Sequence, residues 1–379
     1  MIPHFVHPAC NKTIRALLDE VVSTRTEDDL PMLKVMPFPK YPSDDTEITK
    51  IDGIQVPPTV KYWTASSTDP AKHGRPRKTY LMATLNVTPD SFSDGAQHNT
   101  LPAAIAYTTA AVASGADIID IGGYSTRPGA DFVSTEQELE RVVPVIRAVR
   151  AHPSDAVRNA LLSVDTFRWD VAHPAVRAGA NCINDVHAFS GPTYPPDAAS
   201  AEHLARMRSV ARELGVPVVL MHSRGDAGAN KDYGAYPGGL VPAVQTELGR
   251  KVDAIVRGAG GVRRWLVLVD PGIGFSKPVE GQLALMRDLG RVTAEEDGNA
   301  LAGYPVLFGA SRKSVLGAVL ERPDVEGLYE GRKTTAQERV WATAAAVACA
   351  VQQGANVVRV HDVAEMRDVV AVASAIWNR

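Results

Sequence analysis

Beyond residue 78 the chain repeats one pattern: a short run of β-branched and other apolar residues, a polar segment, then a longer stretch with apolar positions at helical spacing. Eight such runs stand out, at 80–87, 117–121, 161–165, 180–185, 217–221, 265–270, 305–309 and 356–361. Runs this short and apolar, bounded by turn formers, predict strands. Amphipathic stretches at 101–114, 135–150, 169–178, 199–214, 241–258, 279–289 and 334–353, with a last one at 363–377, predict the helices between and after them. Gly115, Gly179, Gly215 and Gly354 stand where four of these helices should stop, since glycine takes the left-handed conformation of a helix end without steric cost. Alternation of this kind predicts an α/β protein, and eight units predict a (β/α)8 TIM barrel. An open, doubly wound sheet is the competing arrangement.

The first 78 residues break the pattern. Pro37, Pro39, Pro42, Pro57 and Pro58 are strewn through polar, acidic segments, which is the composition of a tether. One short helix is expected there, with Ile14, Leu17, Leu18 and Val21 on a common face. The predicted organisation is a Pro-rich N-terminal extension made of a segment 1–22 and a linker 23–78, followed by a barrel at 79–379.

Composition narrows the function classes. At 379 residues, 45% hydrophobic and 22% charged, the chain has enough apolar surface for a large core. A net charge of −3 argues against a surface that coats nucleic acid or a membrane, so an anionic ligand must be met by local cations. The basic cluster Arg75, Arg77 and Lys78 reads as a solvated linker. Cys10, Cys182 and Cys349 are too few and too scattered for a metal site or a disulfide framework, which suits a reducing compartment; Cys182 and Cys349 read as buried apolar fillers. With no membrane-length apolar run and no signal-peptide pattern at the start, a cytoplasmic protein is expected, with a mitochondrial address as the alternative.

The chemistry lies in what ends each run. In a barrel all eight C-terminal strand ends open on one mouth, so residues far apart in sequence converge. That mouth should hold Asn86 from the first strand, Asp165 from the third, Asn184 from the fourth, Met221 from the fifth, Asp270 from the sixth, Lys313 after the seventh and Arg359 with His361 from the eighth. Acidic and amide groups suit the donor–acceptor edge of a heteroaromatic ring, whereas Lys313, Arg359, His361 and Arg127 suit a di- or triphosphate, with Asn86 as an oxygen ligand for Mg²⁺. Plainer readings compete. An Asp at a strand end often caps the next turn, a reading that stays open for Asp165 or Asp270 taken singly. Gly272-Ile273-Gly274 lacks the spacing of a phosphate-binding P-loop and reads as a tight turn. His187, His203 and His222 read as locally satisfied, with His222 the nearest of the three to a catalytic position.

Four segments then make a recognisable set: Asn86-Val87-Thr88-Pro89-Asp90-Ser91-Phe92-Ser93-Asp94-Gly95, Asp120-Ile121-Gly122-Gly123-Tyr124-Ser125-Thr126-Arg127-Pro128-Gly129, Asp270-Pro271-Gly272-Ile273-Gly274-Phe275 and Ser311-Arg312-Lys313-Ser314. In this order, across residues 79–379, they resemble dihydropteroate synthases. The resemblance implies a barrel transferase of folate biosynthesis, a sulfonamide target, that joins hydroxymethyl-dihydropterin pyrophosphate to p-aminobenzoate and releases pyrophosphate. Carried over by motif, Asp165, Asn184, Asp270 and Lys313 would contact the pterin beside Met221; Asn86 would hold Mg²⁺; Arg359 and His361 would bind the pyrophosphate. Lys313, Arg359, His361 and Asp165 form the implied catalytic set. Phe92, Thr126, Arg127, Pro128, Phe275 and Ser314 would form the p-aminobenzoate pocket. Tyr124 stands where bacterial members commonly have an acidic residue, and the long Pro-rich stretch at 190–203 resembles fungal-type members most. Residues 1–22 resemble the C-terminal tail of hydroxymethyl-dihydropterin pyrophosphokinase, implying upstream folate-pathway enzymes fused in a longer gene. Small-molecule partners are expected, with no nucleic acid and no membrane; a homodimer is open. A pterin-using methyltransferase and a catalytically silent barrel are the rival readings; the first has no use for the cation cluster, and the intact Asn86, Asp165, Lys313 and Arg359 speak against the second.

Overall fold

In the computed structural model the described residues are 78–88, 100–125, 131–257, 260–324, 326–328 and 330–377, plus four two-residue strands nearer the N-terminus at 34–35, 50–51, 54–55 and 64–65. The helix expected around Ile14 to Val21 lies outside them. Eight parallel strands form one sheet: β1 (Tyr80–Asn86), β2 (Ile118–Gly122), β3 (Leu161–Asp165), β4 (Cys182–Asp185), β5 (Val218–Met221), β6 (Val267–Asp270), β7 (Leu307–Phe308) and β8 (Val357–Val360). They are ordered β6-β5-β4-β3-β2-β1-β8-β7. A parallel bridge from Val269 to Val306, with the Val269 amide donating to the Pro305 carbonyl at 2.9 Å, joins the two ends and closes the barrel. The closed form, not the open sheet, is therefore the arrangement adopted.

Side chains alternate across a strand, so each strand sends one set inward and the other toward the helices. Met82, Ile118, Leu161, Cys182, Val219, Leu268, Leu307 and Val357, one from each strand, form a single buried cluster that plugs the barrel floor. The outward set, including Leu81, Ile119, Val164, Ile183 and Val358, belongs to the larger core beneath the helices. Two residues further along, the inward positions are Thr84, Asp120, Ser163, Asn184, Met221, Asp270 and Arg359. The apolar floor thus fixes, by parity alone, which polar groups face the mouth.

The surrounding helices are α1 (Leu101–Ala113), α2 (Thr135–Arg150), α3 (Trp169–Ala178), α4 (Ala198–Leu214), α5 (Leu240–Val256), α6 (Val279–Arg287), α7 (Ser314–Leu320), α8 (Val340–Gln352) and α9 (Val363–Trp377). Ser134 and Gln137 close a reciprocal capping box that starts α2. Gly115, Gly179, Gly215 and Gly354 all have positive φ at helix ends, as their spacing predicts. Several expectations are corrected. The helix expected at 334–353 begins only at Val340, because Thr334 and Thr335 spend their side chains on Arg339 and Glu338. The seven-residue α7 went unpredicted, since Gly317 at its centre breaks the apolar spacing. The run at 265–270 opens as a 3₁₀ turn (Arg264–Leu266) that leaves Trp265 exposed. Cys182 is buried as expected, but Cys349 is only partly so. No helix among the described residues is long and apolar enough to cross a membrane.

Candidate active site

The mouth is organised around a carboxylate that the strand-end reading passed over. Asp120 is inward-facing on β2 and fully buried. Its Oδ2 accepts from Asn184 Nδ2 on β4 at 3.0 Å and from Arg359 Nε on β8 at 2.6 Å. Arg359 Nη2 donates in turn to Asp165 Oδ2 on β3 at 2.7 Å. One connected array therefore spans four strands and brings together three of the expected residues. Asp120 had a signal of its own, a charged residue flanked on both sides by isoleucine, Ile119 and Ile121, where burial demands a partner. Burial, reinforced by Asp120, pushes the Asp165 carboxyl up to about 7, with Arg359 pulling the other way. The two carboxylates hold the Arg359 guanidinium firmly charged against its own burial.

The second group surrounds the β6 turn. Asp270 Oδ1 accepts from the Gly272 amide at 2.7 Å, so the capping reading holds for that oxygen, and burial raises its pKa against the pull of Lys313. Asp165, by contrast, caps no turn among the described residues; it accepts from Arg359. The Lys313 ammonium donates to the Ile273 carbonyl and lies 4.9 Å from the centre of the Phe275 ring. Burial pushes Lys313 down to about 8, opposed by Asp270 and Asp165 and assisted by Arg359, so this cation shares one electrostatic neighbourhood with the first array. Met221 packs with Phe167, Val186, Tyr124 and Phe275 in an apolar patch beside it. Phe167 and Tyr124 meet edge to face at 5.4 Å, and the Arg168 guanidinium lies against both rings while donating to the buried Glu138 at 2.6 Å. That aromatic wall was not foreseen either, because its members follow the strand ends and carry no spacing pattern.

His361 and Ser311 tie the β8 and β7 ends together: the His361 amide donates to Ser311 Oγ at 3.2 Å, and its Nδ1 lies 3.0 Å from the same oxygen. Arg312, held at φ 60°, donates to both carboxylate oxygens of Asp362 alongside. Ser314 is exposed at the first turn of α7, and Asn86 is half-buried at the end of β1, paired in register with Gly122. Phe92, Thr126, Arg127 and Pro128 lie outside the described residues. His222 is not a mouth residue. It follows the inward Met221, so parity turns it outward, where Nε2 meets Glu247 at 2.8 Å beneath α5 and burial keeps the ring neutral. His187 and His203 are likewise held locally, by Ser223 and by the Phe167 carbonyl.

An inner ring of carboxylates and an amide, crossed by a guanidinium and flanked by a lysine, can grip a polar flat ring and an anionic leaving group at once. Comparison with known proteins agrees with that arrangement. The family model described as pterin binding enzyme matches residues 82–361. The dihydropteroate synthase of Synechocystis is 40% identical over 304 residues, covering 80% of this chain and 91% of that protein. The folate synthesis bifunctional protein, mitochondrial, of Arabidopsis thaliana is 38% identical over 335 residues, covering 86% of this chain and 53% of that protein. Among solved structures, Burkholderia cenocepacia dihydropteroate synthase complexed with 7,8-dihydropteroate superposes with a TM-score of 0.61 at 34% identity, covering 79% of this chain and 91% of that one.

Proposed function

The chain belongs to the dihydropteroate synthase family and condenses hydroxymethyl-dihydropterin pyrophosphate with p-aminobenzoate, giving dihydropteroate and pyrophosphate in folate biosynthesis; from that premise we propose how its own residues do so. The observation that carries the reading is the array Asn184–Asp120–Arg359–Asp165 with Lys313 beside it. Asp165, Asn184 and Asp270 hold the donor–acceptor edge of the pterin, with Met221 against its face. Asp120 touches no substrate in this reading; it aims Asn184 and the Arg359 fork. Phe275 and Ser314, with Phe92, Thr126, Arg127 and Pro128, receive p-aminobenzoate.

The bond that breaks joins the pterin methylene carbon to the ester oxygen that links it to pyrophosphate, and its electron pair leaves with that oxygen. Lys313, Arg359 and His361 stabilise the charge that builds there. Asp165 and Asp270, hydrogen-bonded to the ring, favour positive charge delocalised into it, so C–O cleavage runs ahead of amine attack. The arylamine nitrogen then forms the C–N bond and releases its proton to water. It is a usable nucleophile unaided, so no Ser–His or Cys–His pair is required.

Among the described residues no group of three or more His, Cys, Asp or Glu gathers to cage a metal. The amide oxygen of Asn86 still fits Mg²⁺, which takes few protein ligands and is completed by waters and substrate phosphates. Bound there, Mg²⁺ would neutralise charge on the departing pyrophosphate. The deciding assay follows dihydropteroate formation by the purified chain. Turnover is expected to collapse on exhaustive chelation, to return with added Mg²⁺, and to be inhibited by sulfonamides competitively with p-aminobenzoate. Undiminished turnover after chelation sinks the role of Asn86, and relief of sulfonamide inhibition only by the pterin substrate sinks the pocket.

Finer assignments belong to the same reading. Residues 1–22 are read as a pyrophosphokinase tail of fungal type and 23–78 as a linker, and the bifunctional plant relative, of which this chain spans about half, makes a fused origin reasonable. The chain should then show no ATP-dependent pyrophosphoryl transfer to hydroxymethyl-dihydropterin, and removing residues 1–74 should leave the synthase rate within about twofold; a folded truncation without activity would overturn the tether. A homodimer is supported by the apolar groove between α8 and α9, where Val372 and Ile376 are exposed beside Ala344 and Ala348, and light scattering decides it. A cytoplasmic location is retained, to be checked by fractionation because the plant relative is named mitochondrial.

A further inference from the structure

The turn after β6 has a backbone that needs outside support. Gly272, Gly274 and Ser276 all have positive φ, at 72°, 87° and 49°, the last on a non-glycine residue. A side chain at Gly272 would lie 2.0 Å from the His222 carbonyl, and one at Gly274 would lie 2.7 Å from Lys313 Cδ. Three left-handed residues in five persist only where the surroundings over-determine them. Two buried side chains outside the mouth do this. Lys277 points its ammonium at three carbonyls, those of Gly272 at 2.9 Å, Phe275 at 3.0 Å and His222 at 3.1 Å, which uses all three of its N–H donors. Gln282, on α6, spans the turn: its Oε1 accepts from the Gly274 amide at 2.8 Å and its Nε2 donates to the Lys277 carbonyl at 3.0 Å.

The turn so held carries a contact to each part of the site. The Gly272 amide closes on Asp270, the Ile273 carbonyl accepts from Lys313, and Phe275 presents its ring next to that ammonium. We propose that Lys277 and Gln282 are positioning residues of the condensation, locking residues 271–277 so that Asp270, Lys313 and Phe275 stand in register for two substrates at once. This rests on the reading that Lys313 and Phe275 contact substrate. Neither Lys277 nor Gln282 meets substrate itself; both act through the turn. Because a displacement of about 1 Å in a reacting arrangement lowers rates by roughly a hundredfold, loosening this turn should be felt in catalysis before it is felt in folding.

The test is steady-state kinetics on the full chain carrying Gln282→Leu, with Lys277→Met as the second variant and circular dichroism as the check on folding. Gln282→Leu should lower kcat by about 10- to 100-fold and raise KM for p-aminobenzoate by about tenfold, a split that a general loss of folded protein cannot produce. Repeated in a Lys313→Met background, the same substitution should lower kcat by clearly less than it does alone, since part of its effect runs through Lys313, while the rise in KM for p-aminobenzoate, which runs through Phe275, persists. A folded Gln282→Leu protein with wild-type constants overturns the proposal, as does full additivity of the two substitutions in kcat. Wild-type rates for Lys313→Met alone would instead overturn the assignment of Lys313. If Lys277→Met does not fold, Gln282→Leu still reads the same turn.

Discussion

Arg359→Ala is expected to lower kcat/KM by about a thousandfold, the largest effect of any single substitution in this site. Its guanidinium bridges Asp120 and Asp165, at 2.6 and 2.7 Å, and in the proposed reading it stands where the leaving pyrophosphate develops charge. Loss of one preorganised donor from a developing oxyanion costs on the order of 10²–10³ in rate. Here the loss is compounded, because Asp120 is fully buried and would be left without its cation. Breaking such a pair from one side costs about 3 kcal/mol of stability, less for the Asp165 half, which keeps some access to solvent. Arg359→Lys should recover only part of the rate, since an ammonium cannot span two carboxylates as a planar fork does. The measurement is kcat and KM for both substrates beside a denaturant melt. A rate within tenfold of wild type in a folded Arg359→Ala protein would move the pyrophosphate site elsewhere.

Lys313→Ala should reduce kcat and raise KM for the pterin substrate together, by about 10²–10³ in kcat/KM, because one cation serves both the ring and the departing charge. A pH profile separates charge from bulk. Burial lowers Lys313 to about 8, so raising the pH through 8 removes its proton and should remove activity. Burial and Asp120 raise Asp165 to about 7, so lowering the pH through 7 neutralises the acceptor the pterin needs. The two signs together give a bell in kcat/KM with limbs near those values, the narrow top lying between them. Lys313→Arg, charged at every working pH, should keep the acid limb and lose the alkaline one. An unchanged alkaline limb in that variant would assign it to another group.

Much of the site follows from the strands' period of two. Once Met82, Ile118, Leu161 and Val219 are buried together in the barrel floor, Asp120, Asp165, Asn184 and Asp270 face the mouth and His222 faces the helices. Parity applied to the sequence sets His222 aside, and the charge between Ile119 and Ile121 flags Asp120. Phe167, Arg168 and Glu138 had no such signal. They meet because the segments after β2 and β3 fold onto the start of α2, a contact no local pattern encodes.

The succession of strands and of every helix named above but α7, the glycine stops, the set of polar residues at the strand ends and the resemblance they carry are all legible along the chain. These are local properties, written in spacing and in backbone preference, and they hold whatever the partners. Which charges pair depends on the folded barrel. Arg359 reaches Asp120 across 239 residues because β8 pairs with β1 and β1 with β2, which leaves the last strand two strands from the second. Register between such distant strands is set by the closed barrel as a whole. The support of the β6 turn by Lys277 and Gln282 is of the same kind: the residues are near in sequence, yet which carbonyls they hold depends on the β5 end lying against them. Hydrogen-bond partners inside a packed core are chosen by distance in space, which a chain read end to end does not contain.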